Sequence, residues 1–213
     1  MLTVHHLRYS QSERIVWLCE ELGIPYELKL YDRRADNRLA PPEYKALHPM
    51  GSAPIITDGD VVLPESNAIV DYIIAKYGDG RLTVKPDQPN FADYLFWLHY
   101  ANGSLMPTAT RELIFVRTPD FPETEMIKGM RARFDTAYRM VEARLGEVDY
   151  FAGPELTAAD IMNVFGLTTM REFVAKDISG YPNLLAYLQR VGARPGYQRA
   201  MAKAEPGMTP FLT

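Results

Sequence analysis

The sequence predicts an α/β domain over residues 1–80, a linker over 81–89 and an all-helical domain over 90–213. Three observations carry that reading. Short runs with strand patterning occur only before the linker. The stretch Asp79-Gly80 through Pro86-Asp87-Gln88-Pro89 is crowded with Gly, Pro and Asp and has no periodicity. Beyond it every apolar stripe has helical spacing.

In order along the first domain, Leu2-Thr3-Val4-His5 alternates and reads as a strand. The loop Leu7 to Ser12 leads into a helix in which Ile15, Leu18, Cys19 and Leu22 share one face, and Gly23 closes it. Tyr26 to Tyr31 alternates as a second strand. Asp32 to Arg38 is a polar, basic loop, and Ala40-Pro41-Pro42 opens a short helix through Leu47. Pro54 opens the strand Ile55-Ile56-Thr57, Asp58-Gly59 is a tight turn, and Val61-Val62-Leu63 returns as the other arm of a hairpin. Ile69, Val70, Ile73, Ile74 and Tyr77 then mark a helix. The order β-α-β-α-β-β-α is thioredoxin-like, a mixed sheet covered by helices.

In the second domain a long helix starts with Phe91, Tyr94, Leu95 and Leu98 and runs past Leu105, with Pro107 as a kink or break. Ile127, Met130, Phe134, Tyr138, Val141 and Leu145 mark another. Thr157 and Asp160 frame a capping box before Ile161, Val164 and Phe165, so both are expected to be structural. Leu184, Leu185, Leu188 and Val191 form a further stripe, and Tyr197, Ala200 and Met201 the last.

Apolar residues make up 47% of the chain and charged residues 23%, with a net charge of −4, an ordinary globular composition. Neither half is basic, which argues against a nucleic-acid partner or an anionic membrane surface. No apolar run is long enough to span a bilayer, and the N-terminus enters a strand pattern without a basic, cleavable leader. The single cysteine, Cys19, excludes an internal disulfide framework and fits a reducing compartment, so a cytoplasmic protein is expected. Its place on the apolar stripe predicts a buried, inert thiol. His5, His6, His48 and His99 show no metal-ligand spacing, so no metal is expected.

The stretch from His48 to Tyr77 carries the chemistry. Ala53-Pro54 is a candidate cis bond that leaves the Ala53 backbone open to pair with an extended peptide. Ser66 stands where free N–H groups and the positive end of a helix dipole would hold a carboxylate. Together they suit a small peptide bearing an α-carboxylate.

This stretch resembles the glutathione-binding half of the soluble glutathione transferases. There a Pro-x-Gly-x-x-Pro loop, a short hairpin and a Glu-Ser-x-Ala-Ile helix start form the tripeptide site. The matching residues are Pro49, Gly51 and Pro54, then Glu65, Ser66, Ala68 and Ile69. The α/β-plus-helical architecture is also the family's, so the resemblance covers essentially the whole chain. It implies transfer of glutathione, as co-substrate, to a small apolar electrophile by a symmetric homodimer. It implies further that Ala53, after which Pro54 follows, pairs with the cysteinyl part of glutathione, and that Glu65 and Ser66 hold the γ-glutamyl end. Many relatives have Lys or Arg where Ser52 stands, so the glycyl carboxylate needs another group. Lys45, Arg33, Arg34 and His48 are the candidates, with His48 preferred.

The motif Ser-x-Ser-x-Arg-Ile-x-Trp-Leu-x-Glu-Glu-Leu-Gly, from Ser10 to Gly23, resembles a bacterial and fungal branch of the family. In that branch the first serine, here Ser10, is the usual candidate for stabilising the thiolate. A free thiol has a pKa of about 8.5, and lowering it by about two units takes about 2.7 kcal/mol. One charge-assisted hydroxyl hydrogen bond beside a helix N-terminus is of that order. Ser12 is the second candidate, although a serine directly before an apolar-periodic helix also fits a plain N-cap. Tyr9 or a backbone donor is the third. Tyr9 also stands as a candidate for a second-substrate pocket, with Tyr100, Leu105, Met106 and Arg111 from the helix after the linker. Two other functions suit the same scaffold: a glutathione-dependent peroxidase or isomerase, and a non-catalytic glutathione-binding protein.

Overall fold

The computed structural model describes residues 1–118 and 120–213. It divides into two compact units, Met1–Leu82 with Gly192–Pro210, and Thr83–Val191 with Phe211–Thr213.

The first unit is built on a four-stranded sheet in the order β2-β1-β3-β4. β1 (Leu2–Leu7) and β2 (Glu27–Tyr31) are parallel, while β3 (Ile55–Asp58) runs antiparallel to β1 and is joined by the hairpin to β4 (Val61–Pro64). All six residues of β1 are buried, as expected of a strand covered on both faces. Successive side chains alternate between faces, so His5 and His6 point to opposite sides of the sheet. α1 (Glu13–Leu22), α2 (Pro42–Lys45) and α3 (Ser66–Tyr77) belong to this unit. Gly23 ends α1 in the left-handed region at φ 63°, where its N–H reaches the Cys19 carbonyl. The order and the hairpin agree with the sequence reading.

Asp58, at the end of β3, fastens the sheet to α3. It accepts hydrogen bonds from Tyr72 Oη at 2.9 Å, Lys76 Nζ at 2.7 Å and Tyr77 Oη at 2.5 Å.

The last helix of the chain departs from the expected boundary. The helix Pro195–Ala204 packs on α1 within the first unit, although its periodicity suggested a place in the helical domain. The reason lies at the C-terminal end of α1, where Glu20 and Glu21 oppose the helix dipole. Glu21 accepts the Arg194 fork at 2.8 and 3.0 Å and the Trp17 indole N–H at 3.0 Å. Glu20 accepts Arg199 at 3.0 Å and Lys203 at 2.5 Å. Trp17 and Tyr197 meet edge to face at 5.2 Å.

The second unit carries α4 (Phe91–Tyr100), α5 (Met106–Arg117), α6 (Glu125–Leu145), α7 (Ala158–Leu167), α8 (Thr169–Phe173) and α9 (Pro182–Gly192); the helix Pro195–Ala204 is then α10. The predicted kink at Pro107 takes the form of one π-helical turn, Ala101–Leu105, immediately upstream. A proline in the first turn of α5 lacks a donor and crowds the carbonyl four residues back, and the wider turn accommodates both. Every residue of α7 is buried. Its capping box is formed: Asp160 accepts the N–H of Thr157 at 2.9 Å, the N–H of Phe151 at 3.0 Å and the Tyr187 hydroxyl at 3.0 Å. Thr157 and Asp160 are therefore structural. Close packing of α7 depends on Gly166, where a β-carbon would come within 2.7 Å of Leu105.

Candidate active site

The loop between β1 and α1 holds all three hydroxyl candidates. Tyr9 takes a positive φ of 56°, a backbone state that costs a non-glycine residue energy and is held by its surroundings. Two groups hold it. Arg33 donates to the carbonyls of Arg8 at 2.8 Å and Tyr9 at 2.9 Å, and the Tyr9 N–H donates to the carboxylate of Glu205. The Tyr9 ring is flanked by the guanidinium groups of Arg8 at 5.4 Å and Arg38 at 5.8 Å.

Ser10 and Ser12 are bonded to each other, Oγ to Oγ, at 2.7 Å. The Ser12 N–H also donates to Ser10 Oγ at 3.2 Å. Ser12 occupies the N-cap position of α1, yet its side chain makes no capping bond. Its hydroxyl turns inward, accepting from the Leu7 N–H at 3.1 Å and contacting His6 Nδ1 at 2.8 Å. The plain N-cap reading of Ser12 thus gives way to an internal bonding role. Ser10 is the outer of the two hydroxyls, 6% exposed against 0% for Ser12.

The second part of the site lies in the loop before β3 and at the start of α3. Ala53-Pro54 is a cis bond. Gly51 has φ 58°, and a β-carbon there would stand 3.4 Å from Lys45 Cγ. Ser52 is exposed, and Ala53 packs against the cluster Leu7, Ala40, Tyr44 and Ile55. Glu65 precedes α3 with φ 72°, exposed and in the left-handed half of backbone space, while Ser66 is the buried first residue of the helix. Arg14, buried in α1, joins the two halves of the site: its Nη1 donates to Gln11 Oε1 at 2.6 Å and to Ser66 Oγ at 3.4 Å.

Of the groups considered for the missing loop cation, Arg33 is engaged with the loop carbonyls and Arg34 pairs with Asp36 at 2.6 Å. His48 Nδ1 accepts the N–H of Met50 at 3.2 Å, bracing its own turn. Lys45 lies beside Gly51.

The residues named for a second-substrate pocket are placed as follows. Tyr100 and Met106 are buried in the second unit, and the Tyr100 hydroxyl donates to the Ala137 carbonyl at 3.0 Å. Tyr100 meets Trp97 edge to face with ring centres 4.8 Å apart. Leu105 is buried as well, and Arg111 is half-buried. Tyr100, Leu105 and Met106 are buried, as an aromatic and methionine stripe at helical spacing is when it packs against its neighbours. Cys19 is fully buried and its thiol is pushed up by burial, which agrees with an inert role. Among the described residues no three His, Cys, Asp or Glu side chains cluster so as to hold a metal ion, and no helix is long and apolar enough to cross a membrane.

His6, Arg14, Gln11 and Glu205 are the site-building residues that sequence reasoning missed. A histidine on an inward-facing strand position and an arginine on an otherwise apolar helix face were the available signals for His6 and Arg14. Nothing local marks Glu205.

A thioredoxin-like sheet, a hydroxyl-bearing loop before α1 and a helix N-terminus backed by a buried cation together suit a small peptide bearing a carboxylate. The family model described as glutathione S-transferase, N-terminal domain, matches residues 10–76, and that described as glutathione S-transferase, C-terminal domain, matches residues 105–195. Glutathione S-transferase 3 of Schizosaccharomyces pombe is 34% identical over 96% of this chain and 88% of its own length. Glutathione S-transferase GstB of Escherichia coli K12 is 31% identical over 90% of this chain and 93% of its own length. The crystal structure of a glutathione S-transferase from Actinobacillus pleuropneumoniae superimposes with a TM-score of 0.86 at 32% identity, covering 96% of this chain and 93% of that one. The chain belongs to the glutathione S-transferase family and is a glutathione transferase enzyme.

Proposed function

We propose that Ser10 holds the glutathione thiol as a thiolate, which attacks the electrophilic carbon of a small apolar molecule. A sulfur–carbon bond forms and the leaving group departs with the electron pair of the bond that breaks. The observation that carries the choice of serine is the order of the two hydroxyls: Ser10 is the outer one, and Ser12 is fully buried and bonded internally. This ordering supports membership of the serine-type bacterial and fungal branch.

Ala53 pairs its backbone with the cysteinyl part of the tripeptide. Glu65 and Ser66 take the γ-glutamyl end, supported by the charge of Arg14 behind Ser66. His48 and Lys45 remain for the glycyl carboxylate near Ser52, since Arg33 and Arg34 are committed elsewhere. Within the first unit, Tyr9 remains for the electrophile. The working form is a cytoplasmic homodimer with a detoxifying role.

The test is an ultraviolet difference titration of bound glutathione in the wild type, Ser10→Ala and Ser12→Ala. A thiolate band with a lowered pKa that disappears in Ser10→Ala supports the reading. Loss confined to Ser12→Ala moves the role two residues along. Tight binding with no thiolate in the wild type at neutral pH defeats the reading.

A further inference from the structure

The hydroxyl chain behind Ser10 does not end at Ser12. Ser12 Oγ lies 2.8 Å from His6 Nδ1, and His6 Nε2 lies 3.1 Å from Glu205 Oε1. The chain is dry: His6 and Ser12 are 0% exposed, Glu205 1% and Ser10 6%. All four residues belong to the first unit, although 199 positions separate His6 from Glu205.

The chemistry of the groups sets the hydrogens. Burial pushes the Glu205 carboxyl up, but hydrogen bonds from His6, the Tyr9 N–H and Arg8 outweigh it and bring the group below the usual carboxylate range. A carboxylate only accepts, so a neutral His6 carries its hydrogen on Nε2 and leaves Nδ1 as an acceptor. The Ser12 hydroxyl then donates to Nδ1, which is nearer than the alternative acceptor, the Leu7 carbonyl at 3.3 Å. With that hydrogen committed, Ser10 is the donor in its 2.7 Å contact with Ser12. Both hydroxyl hydrogens and the His6 hydrogen point inward along the chain. In this state Ser10 can accept a hydrogen from a thiol and has none to offer a thiolate.

We propose that Ser10, Ser12, His6 and Glu205 form a proton relay that takes up the proton of the glutathione thiol, with His6 as its end point and Glu205 as the counter-charge. The inference rests on the reading that Ser10 meets the thiol. The thiol hydrogen passes to Ser10 Oγ as the Ser10 hydrogen passes to Ser12 Oγ and the Ser12 hydrogen to His6 Nδ1. One S–H and two O–H bonds break, two O–H bonds and one N–H bond form, and no redox change occurs. The products are a thiolate accepting from Ser10 and an imidazolium donating to Ser12 and to the Glu205 carboxylate. The new positive charge therefore arises against an existing negative one, within hydrogen-bond distance. The relay resets when the proton runs back to solvent after the conjugate leaves. The charged groups grouped around His6 are Glu205 and, bonded to it, Arg8, which in turn meets Asp32 at 3.6 Å. His6 and Glu205 are positioning residues that act through the serines and touch no substrate.

The test uses the full chain with glutathione as the probe, in the wild type, Ser10→Ala, His6→Gln and Glu205→Gln. Glu205→Gln keeps an acceptor for Nε2–H but removes the charge. In both His6→Gln and Glu205→Gln the pKa of the bound thiol should rise by about one to three units, the range over which a neighbouring charge acts. Glutathione affinity and thermal unfolding are measured alongside. In the wild type, the nitrogen-15 resonances of the His6 ring should change from neutral to imidazolium values on binding glutathione, and should not do so in Ser10→Ala. A folded His6→Gln or Glu205→Gln that keeps the wild-type thiol pKa, while Ser10→Ala loses the thiolate, overturns the relay alone. A wild-type His6 that stays neutral beside a bound thiolate does the same, and needs no variant to fold. A Ser10→Ala protein that keeps the thiolate overturns both the relay and the reading of Ser10.

Discussion

The guanidinium of Arg14 lies 3.4 Å from the hydroxyl of Ser66, so one buried cation of the first helix stands beneath the N-terminus of the third. Burial pulls this guanidinium down to about 9, still above physiological pH, so it remains charged. An anionic group held at the start of α3 gains from that charge in addition to the helix dipole.

Arg14→Met keeps most of the side-chain volume and removes the charge. It should weaken glutathione binding by about tenfold or more, the worth of one hydrogen bond to a charged group. Calorimetric titration checks this, and an unchanged Kd in a folded variant would remove Arg14 from the site. The turnover number at saturating glutathione should change far less, because the cation acts on binding rather than on the sulfur.

Asp160 accepts from two backbone N–H groups and from the Tyr187 hydroxyl, all buried. Asp160→Ala leaves those donors unsatisfied, at about 1–3 kcal/mol each before relaxation. Urea denaturation should show a loss of at least about 3 kcal/mol, or no folded protein at all. A loss below about 1 kcal/mol would mean that the capping box is dispensable.

The pH dependence of stability has one clear local source in Asp58. Lys76 first, then the hydroxyls of Tyr77 and Tyr72, hold its carboxyl well below the usual range. An acid with a depressed folded pKa contributes stability that is present above its unfolded value, about 3.9, and is lost as pH falls toward the folded one. The wild type should therefore lose stability below about pH 4 more steeply than Asp58→Asn does, while being the more stable protein at pH 7. Parallel acid limbs in the two proteins would refute the assignment.

Cys19 is fully buried, and burial pushes its thiol up. Iodoacetamide should leave the native protein unmodified and label one thiol after denaturation. Cys19→Ala should retain conjugating activity within about twofold and lose about 1 kcal/mol of stability, as expected for removing a small buried apolar group. Loss of activity in a folded Cys19→Ala protein would return the cysteine to the chemistry.

What the sequence determined by itself is local. The strand and helix order of the first unit, the hairpin at Asp58-Gly59, the Thr157–Asp160 capping box and the loop carrying Ser10 and Ser12 are all set by neighbours a few residues apart. Period, turn dipeptides and caps report such contacts directly. The tertiary structure decided the rest. Sequence reading offers Ser10 and Ser12 as rivals, while the fold bonds them to each other and ranks them by depth. It assigns α10 to the first unit through Glu20 and Glu21, and it brings Glu205 to His6 from the far end of the chain. Those relationships depend on which polar groups meet when apolar faces are buried. A buried hydroxyl or imidazole takes its role from its partner, and the partner lies wherever packing brings it, at no fixed distance along the chain.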